Sequence, residues 1–335
     1  MRNNILIFIE NIRPIENILG LVKMSEVSTL ISYITIVGKV DEKYKKYMSG
    51  KINFINKIDK KEIKEYNIVF GLPSKFSSIK MMNVFSKKQI FISIGPGKIT
   101  KAIGLFKHPE KSIKHKIIGY LKYLIPNNYY IAEDFDDAIY LATAYGRDID
   151  FYKPIGLPKK INISLELSKE KTHNKIGILF VPTHRWPGKL STISEWLGDD
   201  KFVNKLENYN LFYNNHPDEK DAKVSDKVIK TREVEESFWK NIDILVTDYS
   251  SIAHDFLSAG GKNVINITTD LSEFEVHQGK SPLSNEKQFP GVICNTQEEF
   301  IKALDHFNDL EKNTVDLKEF SNQWFKELIE IKKTK

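Results

Sequence analysis

Short apolar runs that end in polar residues, each followed by a stretch long enough for a helix, set the strongest limit on how this chain folds. "NILIFIE" (4–10), "YITIVGK" (33–39), "YNIVFGL" (66–72), "QIFISIG" (89–95) and "NYYIAED" (128–134) read as buried strands bounded by turn or charged residues. The segments between them have room for crossover helices, which is what parallel pairing requires. The pattern then restarts with "KIGILFVPT" (175–183), "YNLFYNNHP" (209–217), "KVIKT" (227–231), "IDILVTDYS" (242–250), "NVINI" (263–267) and "GVICN" (291–295). Two successive series of this kind predict two α/β halves.

A length of 335 residues also exceeds the usual size of one core. The reading is a Rossmann-like domain over 1–155, a linker over 156–174 in a stretch rich in proline and lysine, and a second Rossmann-like domain over 175–312. An amphipathic helix within 313–335 is expected to pack back toward the first domain. Two doubly wound domains facing a central cleft make the GT-B architecture of many nucleotide-dependent transferases. One cysteine, Cys294, excludes an internal disulfide and fits a reducing cytoplasm. The apolar run at the N-terminus is too short for a signal peptide, and no stretch approaches the roughly 20 apolar residues needed to span a bilayer. The net charge of +6 favours anionic ligands or an anionic surface without being a nucleic-acid signature. A cytoplasmic protein, peripheral at most to the inner face of the membrane, is expected.

Ligands of doubly wound sheets bind beyond the carboxyl ends of the strands, so the residues just after each strand carry the functional reading. In the second half these are Thr183 and Arg185 in "FVPTHR", His216 in "NNHPD", and Thr247, Asp248, Ser250 and Ser251 in "ILVTDYSS". Hydroxyls, an imidazole and a guanidinium suit a diphosphate or nucleoside phosphate, and such donors act without a metal. Ser250 or Ser251 also caps the helix from Ile252 to Leu257, a role compatible with phosphate binding. Asp134 and Asp136 share an Asp-x-Asp spacing, but the helical pattern directly after them reads as capping and dipole complementarity. No metal site and no cofactor are expected.

The block "FWKNIDILVTDYSSIAHDFLSAGGKNVINITTDLSEFEVHQG" resembles the signature of the CDP-glycerol glycerophosphotransferase family, which builds teichoic-acid and capsule-type polyol-phosphate polymers. The shared residues are Thr247 to Ser251, Asp255, Asp270-Leu271 and Gly279, while Phe274 stands in place of a tyrosine and Gln278 in place of an arginine. "FVPTHR", "NNHPD", "YKPIGLPKK" and "FPGVICNTQEEFIKAL" resemble further family elements, in order, over roughly residues 90–305. The resemblance implies a GT-B fold and a cytidine diphosphate donor. It further implies transfer of glycerol phosphate, or a similar polyol phosphate, to a hydroxyl of a cell-surface polymer or lipid-linked glycan, with release of CMP. His216, Ser250 and Ser251 would then be catalytic, and Thr183, Arg185, Thr247 and Asp248 would hold the donor phosphates.

In its first domain the family carries His-Gly-x-x-x-Lys, with the histidine taken as the base. Here "SIGPGKITKAIG" (93–104) aligns Gly97 and Lys101, which would face the phosphates, but puts Pro96 at the histidine position. Proline takes no proton, so Glu10, His108 and His115 are substitute candidates. The segment 108–126 spaces Ile113, Ile117, Leu121 and Leu124 at helical intervals among lysines. It either docks on an anionic membrane surface or packs against its own domain. Two rival readings stand beside the first. One is a sialyltransferase-like GT-B glycosyltransferase using a CMP-sugar, whose His-Pro and Ser-Ser elements would also fit. The other, motivated by Pro96, is a catalytically weak nucleotide-binding homologue.

Overall fold

A computed structural model describes residues 3–9, 15–46, 48, 50, 52–71, 89–95, 97–103, 128–214, 222–231, 239–281, 283–307 and 316–331. The chain divides into two compact units. Unit 1 comprises Met1–Ile99, His108–Asn162 and Asp316–Lys335; unit 2 comprises Thr100–Lys107 and Ile163–Val315.

Among the described residues, unit 1 is built on seven strands: β1 (Asn3–Phe8), β2 (Ile31–Val37), β3 (Ile52–Ile55), β4 (Ile68–Phe70), β5 (Ile90–Ile94), β6 (Asn128–Ile131) and β7 (Tyr152–Lys153). Their order is β3-β2-β1-β4-β5-β6-β7, with every pairing parallel. The helix Ile15–Val27 follows β1 and buries Ile18, Leu19, Leu21, Val22 and Met24. Its Gly20 lies against the backbone of Pro158 so closely that no side chain fits. The last helix, Leu317–Glu330, belongs to this unit. It buries Trp324, Phe325 and Leu328, and Trp324 donates its indole N–H to the Gly156 carbonyl at 3.0 Å.

Unit 2 carries β8 (Gly177–Val181), β9 (Asn210–Tyr213), β10 (Ile229–Lys230), β11 (Ile244–Thr247), β12 (Asn263–Ile267) and β13 (Val292–Cys294). These lie in the order β10-β9-β8-β11-β12-β13, again all parallel. Successive residues of a strand point to opposite faces. Ile178 and Phe180 of β8 therefore enter one apolar cluster while Leu179 and Val181 enter another on the reverse face. Helices cover both faces, so "GILFV" has no solvent side, which is why the strands read as unbroken apolar runs.

Both sheets have the doubly wound order in which the winding reverses between the first and fourth strands. The expected α/β class is therefore present in each unit. The 156–174 stretch, read as a linker from its prolines and lysines, contains the helix Lys160–Leu167, with Ile161, Ile163 and Leu167 buried. Those side chains anchor it, and the chain passes from unit 1 to unit 2 within this helix, between Asn162 and Ile163.

Candidate functional site

The winding of unit 2 reverses between β8 and β11, and a ligand crevice is expected beyond the carboxyl ends of these strands. Val181 pairs with Thr247 at the end of the ladder. The Thr247 hydroxyl donates to the Val181 carbonyl at 2.6 Å, tying the two ends together once more. Beyond this point Asp248 organises both exits. Its Oδ1 accepts the Thr183 N–H at 2.8 Å and the Tyr249 N–H at 2.6 Å.

Arg185 closes the arrangement. Its Nε and Nη2 grip Asp270, after β12, at 2.7 and 3.1 Å; Nη2 also reaches Asp248 Oδ2 at 2.9 Å, and Nη1 donates to the Thr183 carbonyl at 2.7 Å. The Tyr249 hydroxyl donates to Asp270 Oδ1 at 2.7 Å. Above the guanidinium lie Tyr249 and Phe274, at 4.8 and 5.2 Å from their ring centres. The two rings stack on each other at 4.0 Å, with Phe289 at the tyrosine edge. Arg185 is 1% exposed.

The electrostatics follow from this closure. Burial opposes the charge on Arg185, but Asp248 and Asp270 outweigh it and hold the guanidinium protonated well above its ordinary range. Burial likewise opposes ionisation of Asp270, yet the Arg185 bonds and the Tyr249 hydroxyl keep its carboxyl below the usual aspartate value. Burial first, then the neighbouring carboxylates, push the Tyr249 phenol far upward, so it stays a neutral donor.

The residues expected at the donor phosphates thus separate. The sequence reading gives Arg185, Thr247 and Asp248 to the ligand; in the structure their polar atoms bond to one another, to Asp270 and to the backbone. A carboxylate such as Asp248 would in any case repel a phosphate. Thr183 keeps its side chain available: the residue is 6% exposed, and its Oγ1 has no hydrogen-bond partner among the described residues. Ser250 and Ser251 lie at the start of the helix Ile252–Ser258 and are half-buried. Ser250 Oγ accepts the Ile252 N–H at 3.3 Å, so the capping contact falls to Ser250, and Ser251 makes no side-chain cap bond.

Lys101 and Gly97, expected to act together, fall in different units. Within unit 2, Thr100 donates its hydroxyl to the Tyr249 carbonyl at 3.3 Å, and the Lys101 ammonium lies 5.7 Å from the Phe274 ring centre. Gly279 lies beside Ala102 with φ at +86°, and a Cβ there would come within 2.9 Å of the alanine methyl. Gly97 remains buried in unit 1. There Lys98 pairs with Asp134 at 2.5 Å, while Asp137 accepts the N–H groups of Ile99 and Glu133, each at 3.0 Å. Asp134 accepts the Asp137 N–H at 2.9 Å and so caps the helix Phe135–Tyr145, as the sequence indicates. Burial, outweighing these N–H bonds, raises the Asp137 carboxyl above its ordinary value.

His216, Pro96, the base candidates Glu10, His108 and His115, and the segment 108–126 lie outside the described residues. Among the described residues no group of three or more His, Cys, Asp and Glu side chains forms a metal-binding cluster. No helix there is long and apolar enough to cross a membrane. Sequence reasoning missed the framework role of Asp270, Tyr249 and Phe274. The available signal was an arginine four residues beyond a buried strand, which needs a carboxylate partner if the fold buries it.

No curated protein sequence gives a significant match. Among solved structures, the wall teichoic acid polymerase TagF, soaked with CDPG, superimposes with a TM-score of 0.63 at 13% identity, over 98% of this chain and 89% of the other. A UDP-GlcNAc 2-epimerase from Methanocaldococcus jannaschii gives a TM-score of 0.53 at 12% identity, over 98% and 99%. An S. aureus MnaA–UDP structure gives 0.51 at 13%, over 97% and 90%. At these identities the likeness concerns the fold, which is GT-B-like. The family described as CDP-glycerol:poly(glycerophosphate) glycerophosphotransferase matches residues 43–328, most of the chain, from β3 through β13. This chain belongs to the CDP-glycerol:poly(glycerophosphate) glycerophosphotransferase family.

Proposed function

We propose that the carboxyl ends of β8 and β11 hold the diphosphate of CDP-glycerol, with the hydroxyls of Thr183, Ser250 and Ser251 as its donors. Family membership makes the chain an enzyme that transfers glycerol phosphate from CDP-glycerol to a cell-wall polymer. The proposal concerns the atoms that do so. The observation that carries it is the Thr183 hydroxyl, buried with no partner among the described residues at the reversal of the sheet, where the side chains of Arg185, Thr247, Asp248, Tyr249 and Asp270 are all bonded. A buried hydroxyl left unpaired costs about 1–3 kcal/mol, which a ligand oxygen would offset.

In the reaction an acceptor hydroxyl attacks the phosphorus that bears glycerol. The bond from that phosphorus to the bridging oxygen of CMP breaks, CMP departs with the electron pair, and the hydroxyl loses its proton. Negative charge grows on the departing phosphate, so fixed hydroxyl donors bind the transition state more tightly than the ground state. His216 follows β9, the strand beside β8, and a protonated imidazole there would add a charge-assisted donor. The acceptor is read as a polymer end or a lipid-linked glycan. The spacing of Ile113, Ile117, Leu121 and Leu124 among lysines supports contact of 108–126 with an anionic bilayer. The test is nucleotide release from CDP-glycerol, CDP-ribitol and CMP-sialic acid, each with a glycerol-phosphate oligomer as acceptor. CMP release from CDP-glycerol is expected; release from CMP-sialic acid alone would overturn the reading.

A further inference from the structure

We infer that Arg185, Asp270 and Tyr249 are positioning residues, which set the spacing between the Thr183 hydroxyl and Ser250-Ser251 without touching the donor themselves. The inference rests on the donor-site reading above and adds to it what holds the site in shape. Three strand exits meet at Arg185: that of β8 through Thr183, that of β11 through Asp248 and Tyr249, and that of β12 through Asp270. Besides these cross-bonds, the exits of β8 and β11 share the Thr183 N–H to Asp248 bond and the Thr247–Val181 bond, whereas the β12 exit reaches them through Asp270.

Arg185 is chemically suited to brace and ill placed to bind. Its fork delivers two bonds to Asp270 and one to Asp248, a geometry that the point charge of lysine cannot copy. A phosphate approaching Nε or Nη2 would have to displace a carboxylate from a charge-assisted pair beside the Tyr249 and Phe274 rings. One arginine facing two aspartates leaves the cluster with an excess of negative charge, which an approaching diphosphate would meet as repulsion. The phenol completes the brace: Tyr249 ties the residue directly before Ser250 to the same Asp270 oxygen that Arg185 grips.

The experiment is steady-state CMP release by full-length Arg185→Lys, Asp270→Asn, the corresponding double variant and the milder Tyr249→Phe, with melting temperature recorded for each. Displacement of reacting groups by fractions of an ångström predicts kcat lowered roughly 10- to 100-fold in the Arg185 and Asp270 variants, with KM for CDP-glycerol within about threefold of the parent. The double variant should lose no more than the worse single one, because the two residues act as one brace. Tyr249→Phe, which keeps the ring stack, should lower kcat while its melting temperature stays near the parent's. A raised KM at unchanged kcat would make Arg185 a donor ligand and overturn the inference, as would kcat losses that only track the folded fraction. Thr183→Val and Ser250→Ala, run alongside, test the underlying reading separately: unchanged KM in both overturns the donor site, whatever the brace does.

Discussion

Both units place a cation beside aspartates beyond the carboxyl ends of parallel strands, yet the two clusters differ in kind. In unit 2 a planar guanidinium bonds two buried carboxylates and a carbonyl under an aromatic cover. In unit 1 the ammonium of Lys98 makes one short contact with Asp134, whose side chain is 46% exposed, and Asp137 is satisfied by backbone N–H groups instead. The first is a closed brace whose parts depend on one another. The second is a capped helix start with a buried ammonium beside it, and the carboxylate of its ion pair is half in water. Two domains of one fold class therefore carry different clusters at their strand ends: a cross-bonded brace in unit 2 and a helix cap with a single ion pair in unit 1.

The largest test of this contrast removes each cation. Arg185→Ala strands two buried carboxylates and should lower stability by about 3–5 kcal/mol in urea unfolding followed by fluorescence. Lys98→Ala should cost at most about 1 kcal/mol, because the partner is half in water. Equal losses would break the comparison.

A smaller effect concerns pH and has opposite sign in the two units. The carboxyl of Asp270 is lowered in the folded state, so its contribution is complete above the ordinary aspartate value of about 3.9 and is lost as pH falls through the folded value. The carboxyl of Asp137 is raised, so its contribution is complete below about 3.9 and is lost as pH rises through the folded value. The stability difference between the parent and Asp270→Asn should accordingly grow as pH rises toward 4 and then level off. For Asp137→Asn it should shrink as pH rises from 4. Unfolding curves collected across this range check both, and slopes of the same sign would contradict the assignment.

The smallest expected effect tests the aromatic cover. Phe274→Tyr adds one oxygen to a buried ring and keeps the stack on Tyr249. Its stability should stay within about 1 kcal/mol of the parent, and a larger loss would show that the cover has no room for a polar atom.

Much of this was legible in the chain itself. Because helices cover both faces of the sheet, "GILFV" stays apolar throughout and "NVINI" is buried along its whole length, and the restart of such runs after residue 175 pointed to a second α/β series. The rule that strand ends carry ligands then led to Thr183, Asp248 and Ser250 before any coordinates. The partner of Arg185 was not legible. Asp270 lies 85 residues away in sequence, and a carboxylate that will meet a guanidinium looks like any other loop aspartate. For the same reason Arg185 read as a free cation for phosphate when it is already neutralised. The helix Lys160–Leu167 was missed because lysines and prolines dominate its surroundings, while its anchoring residues number only a few.

Equilibrium binding of CDP-glycerol, measured by titration calorimetry on the parent, Thr183→Val, Ser250→Ala and Asp134→Asn proteins, tests the central claim most directly. The account predicts roughly tenfold or greater weakening for the Thr183 and Ser250 variants, the loss expected for a hydrogen bond to a charged group, and no change for Asp134→Asn. Unchanged affinity in the Thr183 and Ser250 variants, with a loss in Asp134→Asn, would contradict it.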